Sequence, residues 1–254
     1  MNSPVQLELN QFSAISLSQM KGVELMKRTD TKFILAESKL NSILENIKES
    51  YHILEIDERR LMTYKSLYFD TDSKRFYHDH HNGKVKRTKI RMRNYVESNL
   101  TFLEIKKKDG KGNTSKSRLR IDQIDNSLSE KVTDYIKKKT GKTYQLQPFL
   151  WNHFNRFTLV SKTEKERVTI DMNLSYDYEE SSKSFNKLVI IEVKQERLNR
   201  NSMIIKELKS QGILPFSISK YCIGMLSLHN ELKYNTFKRK LLKINKLTAN
   251  AWNF

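Results

Sequence analysis

Lysine and arginine recur two residues apart along much of this sequence. Residues two apart on an extended chain point to the same side, so each such pair charges one face of a strand. Arg28, Asp30 and Lys32 do this first, followed by Arg91 with Arg93, Glu104 with Lys106, and Lys116 with Arg118 and Arg120. Further on, Arg167, Thr169 and Asp171 align, as do Glu192 and Lys194. The residues between them in 89–93, 102–106 and 189–194 are apolar, so the opposite face is built to be covered. Guanidinium groups offer bidentate donors to phosphate and ammonium groups offer point charges, which together grip a polyanion. The carboxylates Glu104, Asp171 and Glu192 stand singly among these cations. Hard divalent cations prefer such oxygens and would bridge them to phosphate. One strand of this kind would be half of an ordinary sheet with its charges in water. Six with the same habit weaken that account, and if the sheet closes into a barrel with its charged face inward, the interior becomes a cationic channel.

The whole chain carries the same sign. Its 254 residues hold 47 Lys and Arg against 29 Asp and Glu, a formal charge of +18, which repels itself unless an anionic partner uses it. Nucleic acid, phospholipid and polyphosphate all satisfy that charge, and the arrangement separates them. The lysine run at 106–111 ends in turn glycines and lacks interleaved aromatics, so it reads as a solvated loop and no nucleic acid is expected. The His-Asp-His-His stretch at 78–81 precedes Asn82-Gly83 and reads as a solvated hairpin end rather than a metal site. Cys222 is the single cysteine and can form no internal disulfide. The longest apolar runs, such as 188–191, fall far short of the roughly 20 residues of a membrane-spanning helix. With no basic and apolar leader at the N-terminus, the expected location is cytoplasmic, any membrane association being through a partner protein.

Positioning these charges requires strands, and alternation places them at 23–35, 62–69, 85–95, 101–108, 116–121, 153–160, 166–172 and 187–194. Asn82-Gly83 and the stretch from Asp109 to Asn113 carry turn chemistry and imply antiparallel neighbours. Helical periodicity covers 37–49, 127–139 and 199–209, then a basic C-terminal helix over about 220–246. With three Pro, seven Gly and no repeat, nothing marks a linker, and residues 1–254 read as one domain. The expected fold is α+β, a closed eight-stranded antiparallel β-tunnel with helices packed outside.

The same residues, in the same order, resemble the VTC domain, the catalytic domain of the vacuolar transporter chaperone polyphosphate polymerase in the triphosphate tunnel metalloenzyme (CYTH-like) superfamily. The resemblance runs through Arg28 to Phe33, Leu67 to Thr71, Lys89 to Tyr95 and Leu103 to Lys106. It continues through Phe154 to Arg156, Arg167 to Asp171, Ile191 to Lys194 and Ser219 to Tyr221. Arg28, Asp30 and Lys32 fit the VTC branch better than the two glutamates and lysine that open the hydrolytic branch, while Phe154 stands where the family pattern has Tyr. The resemblance implies a phosphotransferase that binds ATP and inorganic polyphosphate or triphosphate with Mn2+ or Mg2+. It implies Arg91, Arg93, Lys106, Arg156, Arg167 and Lys220 as catalytic contacts to phosphate. It further implies Arg28, Lys32, Lys116, Arg118, Lys194 and Ser219 as substrate-binding residues, and Glu192 with Glu104 as metal ligands. Polymerase, triphosphatase and non-catalytic polyphosphate sensor all stay open, because one cationic clamp serves each.

Overall fold

The computed structural model describes residues 8–20, 28–111 and 113–248. Along the chain its strands are β1 (Ser13–Ile15), β2 (Thr29–Ala36), β3 (Tyr51–Leu54), β4 (Met62–Asp70), β5 (Arg87–Tyr95), β6 (Leu100–Lys108), β7 (Thr114–Ile121), β8 (Gln147–Ser161), β9 (Glu166–Tyr178), β10 (Ser181–Phe185) and β11 (Leu188–Gln195). The helices are α1 (Leu40–Ile47), α2 (Arg75–His81), α3 (Glu130–Thr140), α4 (Met203–Ser210), α5 (Lys220–Leu228) and α6 (Lys238–Thr248).

Eight strands follow one path, β2-β11-β9-β8-β4-β5-β6-β7, antiparallel at every step. The short strands β3 and β10 add to β8 and β9, and β1 pairs β3 in parallel. Register shifts at Tyr68/Phe69 and at His153/Asn155 bend the long central strands and sharpen the curl of the sheet. The two path ends approach each other, with Lys116 on β7 within electrostatic reach of Asp30 on β2 and of Arg28 just before it. Among the described residues no ladder joins β7 to β2, so the tunnel is formed by curl rather than by a closed ring of hydrogen bonds.

Each face of the sheet finds the cover its residues require. On the outside, α1 buries Leu40, Ile43, Leu44 and Ile47, an i, i+3, i+4, i+7 stripe, and α4 buries Ile204 and Leu208. Both pack over Phe33, Leu35, Val189, Ile191 and Val193. Each side chain so buried contributes about 1.5–3 kcal/mol. Val132 and Ile136 of α3 join Leu103 and Ile105 in a second cluster.

The inner face divides in two. Its charged half is the candidate site, and its apolar half, including Ile34, Ile190, Tyr68, Leu150 and Tyr176, packs around α5. That helix is apolar all round and buries residues 221–226. Gly224 permits the close approach, since a Cβ there would lie 2.5 Å from Tyr176 and 2.6 Å from Leu150. Tyr221 of α5 donates its hydroxyl hydrogen bond to Asp70. The same carboxylate accepts the backbone N–H groups of Thr71, Phe76 and Tyr77, which ties α2 to α5.

Two local expectations need correction, and a third lies partly outside the described residues. Asn82-Gly83 does not form a two-residue hairpin: residues 78–81 lie in α2, and Gly83 (φ +68°) follows the helix in the left-handed region, donating its N–H to the His80 carbonyl. Asn-Gly suits any left-handed position, so the dipeptide alone cannot separate a hairpin from a helix end. The stretch is consequently no solvated tip, since His81 is buried and His80 contacts Cys222. The basic segment 220–246 is two helices, α5 and α6, separated by a turn and the 3-10 segment Asn235–Phe237. The first strand was expected from 23; it is described from Thr29, and residues 21–27 lie outside the described part.

Candidate active site

Cross-strand register stacks the charges in rows. Tyr68, Arg91, Glu104 and Arg118 form one row across β4 to β7, and Lys89, Lys106 and Lys116 form the next. On the facing wall, Lys32, Glu192 and Thr169 form one row across β2, β11 and β9, Asp30, Lys194 and Arg167 form the next, and Asp171 lies opposite Arg156. Between the walls the N-terminus of α5 presents Ser219 and Lys220. The Ser219 Oγ caps the helix by accepting the Cys222 N–H, and it accepts a hydrogen bond from the Lys89 ammonium at 2.7 Å.

Asp171, 3% exposed, accepts a bidentate pair from Arg156 at 2.5 and 2.8 Å and is also bonded by Lys220. Beside it the rings of Phe154 and Tyr64 stack at 5.0 Å and 9°. Arg93, Arg156 and Lys220 lie 5.5, 5.3 and 4.5 Å from the Phe154 centroid. Contacts of this kind are worth about 0.5–2 kcal/mol each and partly offset the repulsion of three cations. Phe154 brings no phenol, and Tyr64, stacked against it, supplies one alongside. On the other wall, Arg91 pairs with Glu104 at 2.6 Å and donates to the Tyr68 hydroxyl at 2.8 Å, while Arg93 donates to Ser66 at 3.0 Å.

Burial opposes every one of these charges, and their neighbours decide the outcome. Glu192 and Asp171 would be raised by burial, yet Lys194 with Lys32, and Arg156 with Lys220, hold them far below the usual carboxylate range. Glu104 is likewise held low against burial by Arg91 and Arg93. Burial pushes Lys194 down to about 8 despite Glu192. Lys106 falls to about 8 as well, through desolvation and then the charges of Lys116, Lys32 and Lys89. Lys89, Lys220 and Arg93 are lowered, first by burial. The Arg167 Nε–H is buried and has no partner among the described residues. A buried donor on a charged group carries a desolvation penalty until an acceptor arrives.

All the candidate residues lie along this tunnel, at different depths. Lys32, Arg91, Arg93, Glu104, Arg156, Arg167, Glu192, Lys194, Ser219 and Lys220 are buried or half-buried, whereas Lys106, Lys116 and Arg118 keep more of their surface in water although the tunnel still desolvates the two lysines in part. Arg28 sits at the rim, its Nε 2.9 Å from Asp30. Sequence reasoning left three participants out of its site: Lys89, whose i, i+2 relation to Arg91 signalled its face, Asp171 as the anchor of Arg156 and Lys220, and Tyr68, which reads as a core aromatic. Among the described residues no three His, Cys, Asp or Glu side chains gather as a cage. Glu192 and Glu104 are ionised hard-oxygen donors on separate walls. They fit an Mn2+ or Mg2+ ion that takes one or two carboxylates and fills its remaining positions with phosphate oxygens and water.

No curated protein matches the sequence. Solved structures of similar shape include a protein from Pyrococcus horikoshii OT3 (13% identity, TM-score 0.42, 78% of this chain and 98% of that one). Another is a putative adenylyl cyclase from Hippeastrum described as having a dominant triphosphatase activity (14%, 0.48, 82% and 100%). A third is a putative adenylate cyclase from Bacillus halodurans (11%, 0.45, 76% and 96%). The sequence model of the VTC domain matches residues 27–229, from the start of the charged sheet through the helix that presents Lys220. The curled antiparallel sheet turns these cations inward along one tunnel, and this chain belongs to the VTC domain family.

Proposed function

We propose that the protein is a polyphosphate polymerase that transfers the γ-phosphoryl group of ATP to the end of a growing inorganic polyphosphate chain. One observation carries the reading: the convergence of Arg93, Arg156, Arg167, Lys194 and Lys220 around too few carboxylates, with a buried Arg167 donor unpaired. A multivalent anion completes such a site, and membership in the VTC domain family supports phosphate as that anion.

In this reading Arg91, Arg93, Lys106, Arg156, Arg167 and Lys220 contact the reacting phosphates. Arg28, Lys32, Lys116, Arg118, Lys194 and Ser219 hold the phosphates on either side. Mn2+ or Mg2+ held by Glu192, with Glu104 as second carboxylate, would neutralise charge on the transferred group. The bond between the γ-phosphorus and its bridging oxygen breaks, a terminal oxygen of the chain bonds to that phosphorus, and ADP leaves. No protein nucleophile takes part. The side chains align donor and acceptor and stabilise the charge spread over the equatorial oxygens.

The test is incubation with γ-labelled ATP and Mn2+ or Mg2+, with and without a short polyphosphate primer, beside Lys220→Ala. Label should enter a lengthening ladder sensitive to polyphosphatase, and the variant should lose it. Label found only in free phosphate would make the protein a triphosphatase, and tight triphosphate binding without turnover would make it a sensor.

A further inference from the structure

The rows of charge do not stop at the tunnel residues. Arg87 lies opposite Lys108, on the same face as and two residues beyond the Lys89–Lys106 row. Arg87 and Arg91 are four positions apart, which at a rise of about 3.3 Å per residue is roughly 13 Å along the strand. Helix α6 brings a third cation to this end: the Lys240 ammonium is 5.6 Å from the Phe237 ring, and that ring is 5.9 Å from His80. His80 is in turn fixed to α5, its Nδ1 2.9 Å from the Cys222 sulfur. Burial first, then the charges of Lys89, Arg87, Lys240 and Lys108, push the His80 imidazole down to about 2.

None of Arg87, Lys108 and Lys240 has a carboxylate partner among the described residues. The acids nearby are committed elsewhere. Asp79 pairs with Lys84 at 2.7 Å, and Asp109 accepts the N–H groups of Lys111 and Asn113 in its own turn. All three cations are half-buried. Half-buried like charges without counter-ions are unfavourable unless an anion occupies the place.

We propose that Arg87, Lys108 and Lys240 form a second polyphosphate-binding site at the end of the tunnel, beyond the Lys89–Lys106 row, which holds the part of a long chain that a triphosphate does not reach. The proposal rests on the reading of the tunnel as a phosphate-chain site and adds what the protein does with length: it retains the polymer between transfers.

The experiment is calorimetric titration of tripolyphosphate and of long-chain polyphosphate into the wild-type protein and into the Arg87→Gln/Lys108→Gln/Lys240→Gln variant, at several salt concentrations. Tripolyphosphate affinity should stay within twofold, which also shows that the variant is folded. Long-chain affinity should fall about tenfold or more, and the slope of log affinity against log salt should flatten by about 2, from three lost contacts at about 0.7 each. Equal loss for both ligands, or no loss for either, would overturn the proposal. So would a single-stranded oligonucleotide that displaces long-chain polyphosphate from the wild type as well as polyphosphate itself does. Wild-type protein that binds tripolyphosphate but gains nothing with length refutes this site and leaves the tunnel reading standing, whereas wild-type protein that binds neither refutes both.

Discussion

Two tunnel lysines are set to titrate close to neutrality. Lys106 and Lys194 have their pKa values lowered to about 8 from the ordinary 10.5, by burial above all. Only the protonated ammonium attracts phosphate, so tripolyphosphate affinity should decline as pH rises from 7 to 9. The unliganded fold should respond in the opposite sense. Between about 8 and 10.5 the folded lysines bind fewer protons than the unfolded ones, so stability rises with pH across that window. Titration calorimetry beside thermal unfolding at three pH values checks both limbs, and an affinity that stays flat from 7 to 9 sinks the assignment of these lysines to phosphate.

At the scale of elements, α5 does most to shape the site, because its place inside the sheet aims Ser219 and Lys220 at the charged wall. Gly224→Ala should therefore act at a distance. Its methyl group would meet Tyr176 and Leu150 within 2.6 Å, and overpacking of that kind costs typically about 1–3 kcal/mol. We expect a lower denaturant midpoint together with weaker tripolyphosphate binding, and a loss of stability that left binding intact would uncouple the helix from the site. The strands that carry charge were legible in the sequence because alternation extends over eight or more residues in most of them, as in β5 and β11. The short strands β3 and β10 were not, since four or five residues hold too little pattern to stand out. Residues 220–246 read as one basic helix because Lys238 to Lys246 dominate the composition. Yet the apolar stretch 221–226, uninterrupted by charge, already marked a helix that had to be buried on every side. The i, i+2 pattern identified the charged face, whereas the partners Asp171 chooses depend on strands distant in the chain.

For the molecule as a whole, the charge of +18 makes stability depend on what is bound. Tripolyphosphate at about 100 times its dissociation constant should stabilise the fold by about 2.7 kcal/mol. Sodium chloride alone should also raise the melting temperature by screening self-repulsion, and it should shrink the increment that tripolyphosphate adds. Differential scanning calorimetry across a salt series reads both, and an increment indifferent to salt would count against charge neutralisation as its source. The carboxylates inside the tunnel have a further consequence. Because Asp171 already holds Arg156 and Lys220, the resting tunnel behaves as a loaded ion exchanger, and an arriving phosphate must displace an anion that is covalently part of the resin. A lone orthophosphate exchanges one set of contacts for another with little return. A chain engages several cations through one molecule, so each further contact forms at high effective concentration. If the tunnel holds a phosphate chain as proposed, selection for length begins with a residue that binds no phosphate at all.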